Sequence, residues 1–508
     1  MCGFTAYVGA GGDRRLEEAR RMAELLRHRG PDDAAAQSAG ASALAHRRLS
    51  IIDVAGGRQP LTNEDGRAAL VCNGEIYNFR ALRSRLEGRH RFATNSDSEV
   101  ILHLYEEKGA DCVRELDGMF AFVLTDGDRF LAARDAFGIK PLYVGRDRDG
   151  GGLWFASELK ALPADCRDVA EFPPGTLMTE HGARRWFEPP WLEPASDPEP
   201  GDAGALRGEL ERAVEKRLMS DVPLGVFLSG GLDSSAIAAI VRRSIPDLHS
   251  FAVGLDGSPD LLAARRAAEH IGTRHHEYVY TRDEAEAAVE HVIAHLESYD
   301  PALIESSVPC YFVSKLASQH VKVVLSGEGA DEVFAGYGYF ADIRDPAALH
   351  AECTRLLLGL HNMNLQRVDR MTMAHALEGR VPFLDLAFVA RAMRQDPALK
   401  TIDARPEKWL LRRAVSDLLP PEIVWRTKQE FAHGSGSASA LSEHAQRAVS
   451  DADFARRSEL FPGDTPTTKQ AFAYRRIFEE RFPGEERRRT VGRWRGHSHA
   501  HATTNDPS

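Results

Sequence analysis

The sequence predicts two domains in series, an α+β domain followed by an α/β domain built on a doubly wound parallel sheet. Residues 1 to about 190 contain short β-type runs separated by glycine and aspartate turns. Beyond about residue 205, strands alternate with helices, which is the pattern of a parallel sheet. The chain has 508 residues, enough for each part to bury its own core.

Individual elements follow from local patterns. The first domain contains the β-type runs "LVCNGEIYNF", "GMFAFVLTD", "RFLAARD" and "GGLWFASE". Its helices are "RRLEEARRMAELLRHRG" and the segment around "SDSEVILHLYEEKG". In the second domain we expect strands at "PLGVFL", "HSFAVGL", "HHEYVYT" and "VKVVLSG", with helices between them. Residues 350–485 are expected to be mainly helical.

The segment 189–204 contains five prolines and two glycines, which predicts a linker. We therefore assign the first domain to residues 1–188 and the second to residues 205–485. Residues 486–508 form a polar tail that we expect to be disordered at its end.

Composition narrows the classes of function. The net charge of −11 disfavours a general nucleic-acid or anionic-membrane surface. No apolar run approaches the ~20 residues needed to span a bilayer. The first residues lack a basic segment followed by an apolar one, so we expect no secretory signal. Six scattered cysteines without a CxxC pair indicate neither a disulfide framework nor a zinc motif. We expect a cytoplasmic protein that binds small molecules.

The strongest local signal is the stretch from Ser229 to Ser235, "SGGLDSS", which follows an apolar strand and opens a helix. Glycines allow close approach of a ligand, and a helix N-terminus offers free N–H groups to an anion. The absence of GK[ST] excludes a Walker P-loop. The shape suits pyrophosphate, and Asp233 can bind Mg²⁺. A glycine turn with serine caps and no ligand is the alternative.

A second signal is "LSGEGADEVFAGY", in which Glu328, Asp331 and Glu332 lie beside glycines. Such acids are costly unless they are solvated, paired or metal-bound. We expect Asp331 to face Asp233 across Mg²⁺ and pyrophosphate; a solvated acidic loop is the alternative. Lys428, in a loop rich in glycine and serine, could stabilise charge on a leaving group, although a lone loop lysine is usually a surface residue.

The chain opens with Met-Cys, which is either chance or the signature of a nucleophile. Removal of Met1 would leave Cys2 with a thiol and a free α-amine, whose pKa of ~8 lies close to that of a thiol. The stretches "HRGPDD", "AHRRLSIID", "CNGEIYN" and "TNSDSE" would supply an arginine, an amide–backbone pair and carboxylates. These groups could hold an amino acid and an oxyanion.

Taken in order, these stretches resemble the glutamine-hydrolysing asparagine synthetases, from Met1 to about Gly496. The family joins a class II glutaminase, an N-terminal-nucleophile (Ntn) hydrolase with an αββα sandwich, to an ATP-pyrophosphatase synthetase domain with added helices. The resemblance implies an ATP- and Mg²⁺-dependent amidotransferase in which glutamine is hydrolysed at Cys2. Ammonia then passes through an apolar tunnel and displaces AMP from an adenylated carboxylate, L-aspartate by default. The resemblance also suggests a homodimer.

The resemblance assigns roles residue by residue. Asn73 and Gly74 would form the oxyanion hole, Arg48 would pair with the α-carboxylate of glutamine, and Glu75 and Asp97 would hold its ammonium. Asp233 and Asp331 would bind Mg²⁺, Lys428 would stabilise the adenylation transition state, and Glu328 could deprotonate ammonia. The positions that would bind ATP and pyrophosphate are Phe227, Ser229, Gly230, Gly231, Leu232, Asp233, Ser234, Ser235, Val253, Ser326 and Gly327.

One departure concerns the acceptor. In "YDPALIESS", Ala302 and Glu305 replace a threonine and the arginine expected to engage aspartate. Asp369-Arg370 stands where an Asn-Lys pair is expected. Either aspartate still binds, through groups such as Arg367 or Arg370, or the acceptor is another carboxylic acid or the nucleophile another amine. β-Lactam synthetases share the fold but carry tyrosine at the place of Glu328 and lack the cysteine, which argues against ring closure.

A protein of another class, a silent binding or sensing relative, would be expected to lose at least one reactive group. Here all of them are retained: Cys2, Asp233, Glu328, Asp331 and Lys428.

Overall fold

The computed structural model describes residues 2–402, 405–427 and 434–494. Its strands are β1 (Cys2–Gly9), β2 (Asp33–Ala39), β3 (Ser42–Arg48), β4 (Leu61–Thr62), β5 (Ala68–Ile76), β6 (Gly118–Asp126), β7 (Arg129–Arg134), β8 (Tyr143–Arg146), β9 (Gly152–Ala156), β10 (Arg167–Glu171), β11 (Thr176–Thr179), β12 (Gly182–Arg185), β13 (Leu224–Phe227), β14 (His249–Gly254), β15 (Arg274–Val279), β16 (Val323–Leu325) and β17 (Glu378–Arg380).

The α-helices of the described residues are α1 (Gly12–Glu24), α2 (Phe79–Leu86), α3 (Glu99–Lys108), α4 (Ala203–Lys216), α5 (Leu232–Ser244), α6 (Pro259–Ile271), α7 (Arg282–Leu296), α8 (Pro301–Ala317), α9 (Ala330–Val333), α10 (Pro346–Gly359), α11 (Asn364–Met373), α12 (Leu386–Met393), α13 (Trp409–Ala414), α14 (Pro421–Val424), α15 (Ser437–Ala448), α16 (Asp451–Ala455), α17 (Arg457–Leu460), α18 (Lys469–Arg481) and α19 (Glu485–Arg489). None of them is both long and apolar enough to cross a membrane.

The N-terminal part is a sandwich of two six-stranded antiparallel sheets. Their strand orders are β10-β8-β9-β1-β3-β2 and β12-β11-β7-β6-β5-β4. Alternate side chains of β1 and β3 pack against those of β5 and β6, because successive residues of a strand point to opposite faces. The buried layer between the sheets includes Phe4, Ala6, Leu44, Val71 and Val123. Helix α1 covers the first sheet and α2 and α3 cover the second, which gives the predicted αββα arrangement.

The first predicted helix is shorter than its pattern suggested. It was expected over "RRLEEARRMAELLRHRG", but α1 ends at Glu24 and residues 25–29 form turns. Arg29 is fully buried there, and its guanidinium bonds Asp369 of α11, at 2.8 and 3.2 Å. This long-range ion pair places Arg29 beyond the helix end, which the local pattern does not reveal.

The C-terminal part is built on a five-stranded parallel sheet with the order β15-β14-β13-β16-β17. Strands β13 and β16 are neighbours although about a hundred residues separate them. The loops after their carboxyl ends therefore meet at one edge, which is where ligands bind in open α/β sheets. The predicted strands and helices of this domain are present, and β17, which lies in the segment expected to be mainly helical, was not predicted.

The predicted linker 189–204 contains no helix or strand before α4 begins at Ala203. It is nevertheless packed, since Trp191 is 3% exposed and its carbonyl accepts a hydrogen bond from His350 at 2.9 Å. The boundaries 1–188, 205–485 and 486–508 stay predictions.

Candidate active sites

The first site surrounds Cys2, which begins β1 where the two sheets of the sandwich meet. The side chain is 6% exposed. The backbone nitrogen of Cys2 donates to Asn73 Oδ1 at 3.0 Å. Asn73 Nδ2 is buried and has no hydrogen-bond partner among the described residues. An unpaired buried amide donor costs free energy, so this group points to a missing acceptor, such as a substrate oxygen.

Gly74 follows Asn73 in β5, and its lack of a side chain is required by packing. A Cβ at this position would lie 2.1 Å from the carbonyl oxygen of Met119 on β6. Glycine at this position therefore allows β5 and β6 to approach closely beside Asn73.

The thiol of Cys2 experiences opposing influences. Burial raises the pKa of Cys2, while a backbone hydrogen bond from Leu49 and the charge of Arg48 act in the opposite direction. Arg48 is paired with Cys2 in the register of β1 and β3. Its guanidinium donates to the carbonyl oxygens of Ile52, Asp53 and Val54 and so holds the following loop beside the cysteine.

Two predicted acids, Glu75 and Asp97, lie together near Cys2. Asp97 accepts a hydrogen bond from the Ile76 N–H at 2.6 Å. Burial raises the pKa of Asp97 to about 6, against the opposing effect of the Ile76 N–H. Burial, followed by the charges of Glu378 and Asp97, also raises the pKa of Glu75.

Sequence reasoning missed two residues of the C-terminal domain that reach this site. Glu378 and Arg380 lie on β17 and are fully buried. Arg380 pairs with Glu378 at 2.6 Å and approaches Glu75 at 3.6 Å. The only sequence signal was an alternation of opposite charges in "EGR", inside an otherwise apolar stretch.

If Asp97 holds the ammonium of glutamine, binding should weaken at mildly acidic pH. The raised pKa means that Asp97 loses its charge as the pH falls through about 6, rather than near 4. We expect the Kd of glutamine for a Cys2→Ala variant, which binds without reacting, to rise about tenfold per unit below that pH. Isothermal titration calorimetry from about pH 5 to about pH 8 measures it. An unchanged Kd would contradict the assignment, and Asp97→Asn should remove both the affinity and its pH dependence.

The second site is a cleft of about 250 Å³ at the carboxyl ends of β13 and β16. It brings together most of the residues predicted to bind nucleotide, metal and acceptor. Those that line it are Phe227, Ser229, Gly231, Leu232, Asp233, Ser234, Val253, Ala302, Glu305, Ser326, Gly327, Glu328, Asp331 and Arg367.

The loop after β13 has the conformation that its glycines predict. Gly230 has φ +69°, and a Cβ there would lie 2.2 Å from the backbone of Ala263. Ser234 Oγ contacts Ser229 Oγ at 3.1 Å and accepts from the Ser229 N–H at 3.2 Å. Gly230 and the buried Ser235 do not line the cleft; Gly230 shapes the turn and Ser235 packs beneath it. The N-terminus of α5 therefore opens onto the cleft without a side-chain cap.

Asp233 and Asp331 converge as predicted, and a lysine that was not predicted lies between them. Lys408 Nζ is 2.5 Å from Asp233 Oδ2 and 2.6 Å from Asp331 Oδ1. Lys408 is 2% exposed and has φ +57°, so it is held in the left-handed region just before α13. The lone lysine in "RPEKWLL" gave no signal of this role.

Glu328 and Arg367 form an ion pair at the wall of the cleft, at 2.7 Å. Arg367 is brought there by α11, and its Nε is buried without a hydrogen-bond partner among the described residues. Ala302 and Glu305 lie in the first turns of α8, three residues apart and on one face. Asp300 caps this helix by accepting from the Leu303 N–H at 3.0 Å. Glu305 accepts from Gln470 Nε2 of α18 at 3.0 Å.

Arg370 was predicted as an acceptor-site residue, but it does not line the cleft. It is fully buried between the domains, where it pairs with Glu158 at 2.9 Å and Glu297 at 3.0 Å. Asp369 pairs with Arg29. The Asp-Arg departure in the sequence therefore belongs to an interdomain ion cluster, made of Arg29, Glu158, Glu297, Asp369 and Arg370. Lys428 lies outside the described residues; Thr427, just before it, lines the cleft.

Helix α11 connects the two sites. It carries Arg367 to the cleft and Asp369 to Arg29, whose Nε donates to the carbonyl oxygen of Cys2 at 3.0 Å. An apolar cluster also crosses the interface: Leu49, Met119 and Ile139 of the sandwich are buried in one core with Leu228 and Leu232.

One part of the molecule holds a buried cysteine beside an amide nitrogen that has no partner among the described residues, and the other holds a cleft of the nucleotide-binding type. Together they define a two-domain enzyme with two separate candidate reaction centres. Comparison with known proteins identifies the family. A model described as a glutamine amidotransferase domain matches residues 1–179, and one described as asparagine synthase matches residues 205–345 and 341–503.

Curated relatives agree over nearly the full length. Asparagine synthetase [glutamine-hydrolyzing] from Triphysaria versicolor is 45% identical over 97% of this chain and 88% of its own. Asparagine synthetase [glutamine-hydrolyzing] 2 from Arabidopsis thaliana is 45% identical over 97% of this chain and 89% of its own. The chain belongs to the glutamine-hydrolysing asparagine synthetase family.

Among solved structures, a glutamine phosphoribosylpyrophosphate amidotransferase from B. subtilis covers 49% of this chain and 65% of its own. The identity is 18% and the TM-score 0.31, too low to support an argument.

Proposed function

We propose that the protein is a glutamine-hydrolysing asparagine synthetase, which converts L-aspartate, ATP and glutamine to L-asparagine, AMP, pyrophosphate and glutamate. The observation that carries this proposal is the presence of both centres in one chain. Cys2 is bonded to Asn73 Oδ1, the Nδ2 of Asn73 has no partner among the described residues, and Asp233 and Asp331 converge in the cleft. The relatives that bear this name match both parts.

In the first half-reaction the amine freed by removal of Met1 takes the proton of the Cys2 thiol. Asn73 Oδ1 orients this nitrogen at 3.0 Å. The thiolate attacks the side-chain carbonyl carbon of glutamine, and the oxyanion is stabilised by Asn73 Nδ2 and the Gly74 N–H. The amine returns its proton to the departing ammonia. Water then hydrolyses the thioester to glutamate. Arg48, Glu75 and Asp97 are the groups proposed to hold the amino-acid end of glutamine.

In the second half-reaction the aspartate side-chain carboxylate attacks the α-phosphorus of ATP and releases pyrophosphate. The residues of the loop after β13 that line the cleft, Ser229 and Gly231 to Ser234, bind the phosphates together with the α5 N-terminus, while Phe227, Val253, Ser326 and Gly327 contact the nucleoside. Asp233 and Asp331 both contact the ammonium of Lys408, and their carboxylates are the hard oxygen ligands that suit Mg²⁺. Mg²⁺ held by Asp233 and Asp331 would neutralise charge on pyrophosphate. The ammonium of Lys408 compensates part of the negative charge of these two carboxylates. Lys428 is proposed to stabilise negative charge on the same phosphates in the adenylation transition state.

Ammonia must then reach the acyl-adenylate, where it attacks the carbonyl carbon and expels AMP. Glu328 is the proposed base, and its pair with Arg367 holds it in the cleft. Neutral ammonia crosses apolar surroundings more easily than ammonium does. The apolar cluster that joins the two domains is the proposed route. A homodimer and a cytoplasmic location are also proposed, on the resemblance and on composition.

The acceptor is tested by ATP–pyrophosphate exchange across a panel of carboxylic acids. We expect L-aspartate to give the strongest exchange, with the free Nε of Arg367 as donor to its carboxylate. A second candidate acceptor, an acid bearing an additional cation, is favoured by Glu305, which brings a negative charge into the cleft. Exchange with such an acid and none with aspartate would reverse the preference. In that case Glu305→Gln should lower exchange with the acid that bears the additional cation and leave exchange with other acids unchanged.

A further inference from the structure

Four side chains with metal-ligand chemistry meet around α3 on the outer layer of the N-terminal sandwich; none of them lines the cleft at β13 and β16 or is one of the residues assigned to the Cys2 site. We call them the His2Glu2 cluster, which consists of Glu64, His90, His103 and Glu106. Glu64 lies in the turn between β4 and β5, His90 follows α2, and the other two lie on α3 three residues apart. The cluster thus joins three separate segments of the chain.

One ligand atom from each of the four side chains lies within 4.8 Å of the other three. His103 Nδ1 lies 2.9 Å from Glu106 Oε2 and 3.6 Å from Glu64 Oε2. His90 Nδ1 lies 3.4 Å from Glu106 Oε2 and 3.5 Å from Glu64 Oε1. Four ligands at about 2.1 Å from one ion, in tetrahedral arrangement, are about 3.4 Å apart. The four histidine–carboxylate distances, from 2.9 to 3.6 Å, scatter around that value.

The outer nitrogens of both imidazoles face carboxylates. His103 Nε2 lies 3.6 Å from Glu99 Oε1, and His90 Nε2 lies 3.4 Å from Glu107 Oε1. Metal-bound histidines commonly have such a carboxylate behind them, since it fixes the tautomer and the ring orientation. Glu106 is oriented in turn by Asn63 Nδ2, which donates to its other oxygen at 2.7 Å.

Burial favours a built site over a mobile surface cluster. His103 is fully buried and His90 is 14% exposed, so both rings are held by packing. Glu64 and Glu106 are 32% and 26% exposed, which leaves a path for an ion to enter from solvent. No ion is required by the proposed reaction at this position.

We propose that the His2Glu2 cluster binds a divalent transition ion of the Zn²⁺ class. Two imidazoles and two carboxylates suit Zn²⁺, whereas Mg²⁺ and Ca²⁺ prefer oxygen ligands alone. The bound ion would fasten the β4–β5 turn and the residues after α2 to α3. The segment that carries Asp97 immediately precedes α3, so the ion would also stiffen one wall of the Cys2 site.

The test is equilibrium dialysis of the full chain against Zn²⁺ after removal of metals, followed by metal analysis. We expect the double variant His90→Ala/Glu106→Gln to bind one fewer tight Zn²⁺ per chain than the wild type. With Co²⁺ as a probe, the visible absorption of a tetrahedral site should appear in the wild type and be lost in the variant. His291→Ala is the matched control, because His291 is an exposed histidine on α7 that belongs to neither group of potential metal ligands among the described residues; it should keep this equivalent.

Unchanged Zn²⁺ stoichiometry and an unchanged Co²⁺ spectrum in the double variant would overturn the proposal. If the double variant does not fold, Glu106→Gln alone decides the question. Glutamine keeps the size of Glu106 and can still accept from Asn63, so the fold should persist while the Kd for Zn²⁺ rises at least about tenfold. An equal Kd would overturn the proposal.

Discussion

Replacing the nucleophile with Cys2→Ala is expected to lower glutamine-dependent amide formation by about a thousandfold or more. The variant removes the thiol proposed to attack the glutamine carbonyl, and losses of this size are usual when a nucleophile is deleted. Ammonium-dependent amide formation should persist, because Cys2 does not line the cleft at β13 and β16. Both activities are measured by product analysis with glutamine or with ammonium as the nitrogen source.

Cys112→Ala is the matched control for this variant. Cys112 is a fully buried free thiol in the same domain, packed beneath α3 rather than beside Asn73. It should retain glutamine-dependent activity. Loss of both activities in a well-folded Cys2→Ala protein would mean that the two centres are not separable.

Removing a carboxylate from the cleft with Asp233→Asn should abolish the nucleotide-dependent half-reaction and leave glutamine hydrolysis intact. ATP–pyrophosphate exchange is expected to fall by about a thousandfold, because an anionic ligand for the cation on pyrophosphate is lost from a site built to stabilise charge. The substitution also leaves the buried Lys408 with one carboxylate in place of two. Glutamate release from glutamine should continue, since Cys2 and Asn73 are untouched.

The control for this variant is Asp256→Asn, which neutralises an exposed aspartate in the loop after β14 and is expected to leave exchange unchanged. Exchange that survives in Asp233→Asn would contradict the placement of the cation. Cys2→Ala and Asp233→Asn should therefore each abolish one half-reaction and leave the other intact.

Sequence patterns predicted the features that depend on local chemistry. The glycines of "SGGLDSS" predicted the turn, the free helix end and the convergence with Asp331, because parallel strands bring their following loops to one edge. Cys2, Asn73, Glu75 and Asp97 were also predicted, and they lie together. In each case a short motif carries the information.

The residues that sequence patterns missed depend on contacts between distant segments. Lys408 is a single lysine before a short helix, and only the fold places its ammonium between two acids. Glu378 and Arg380 approach the Cys2 site because β17 lies at the edge of the sheet next to the sandwich. Arg370 was predicted to lie in the cleft because it follows Arg367 by about one helical turn. Helix α11 runs between the two centres, however, so Arg367 reaches the cleft while Arg370 reaches the interdomain ion cluster.

The transfer of nitrogen between the centres is tested most directly with glutamine labelled with ¹⁵N in its side-chain amide. The wild-type enzyme is supplied with ATP, L-aspartate and an excess of unlabelled ammonium near neutral pH, and the product is analysed by mass spectrometry. If ammonia passes inside the protein, asparagine should carry the label well above the labelled fraction of the bulk ammonium. Asparagine labelled only to the extent of that bulk pool, or glutamate release with no labelled amide, would contradict the account.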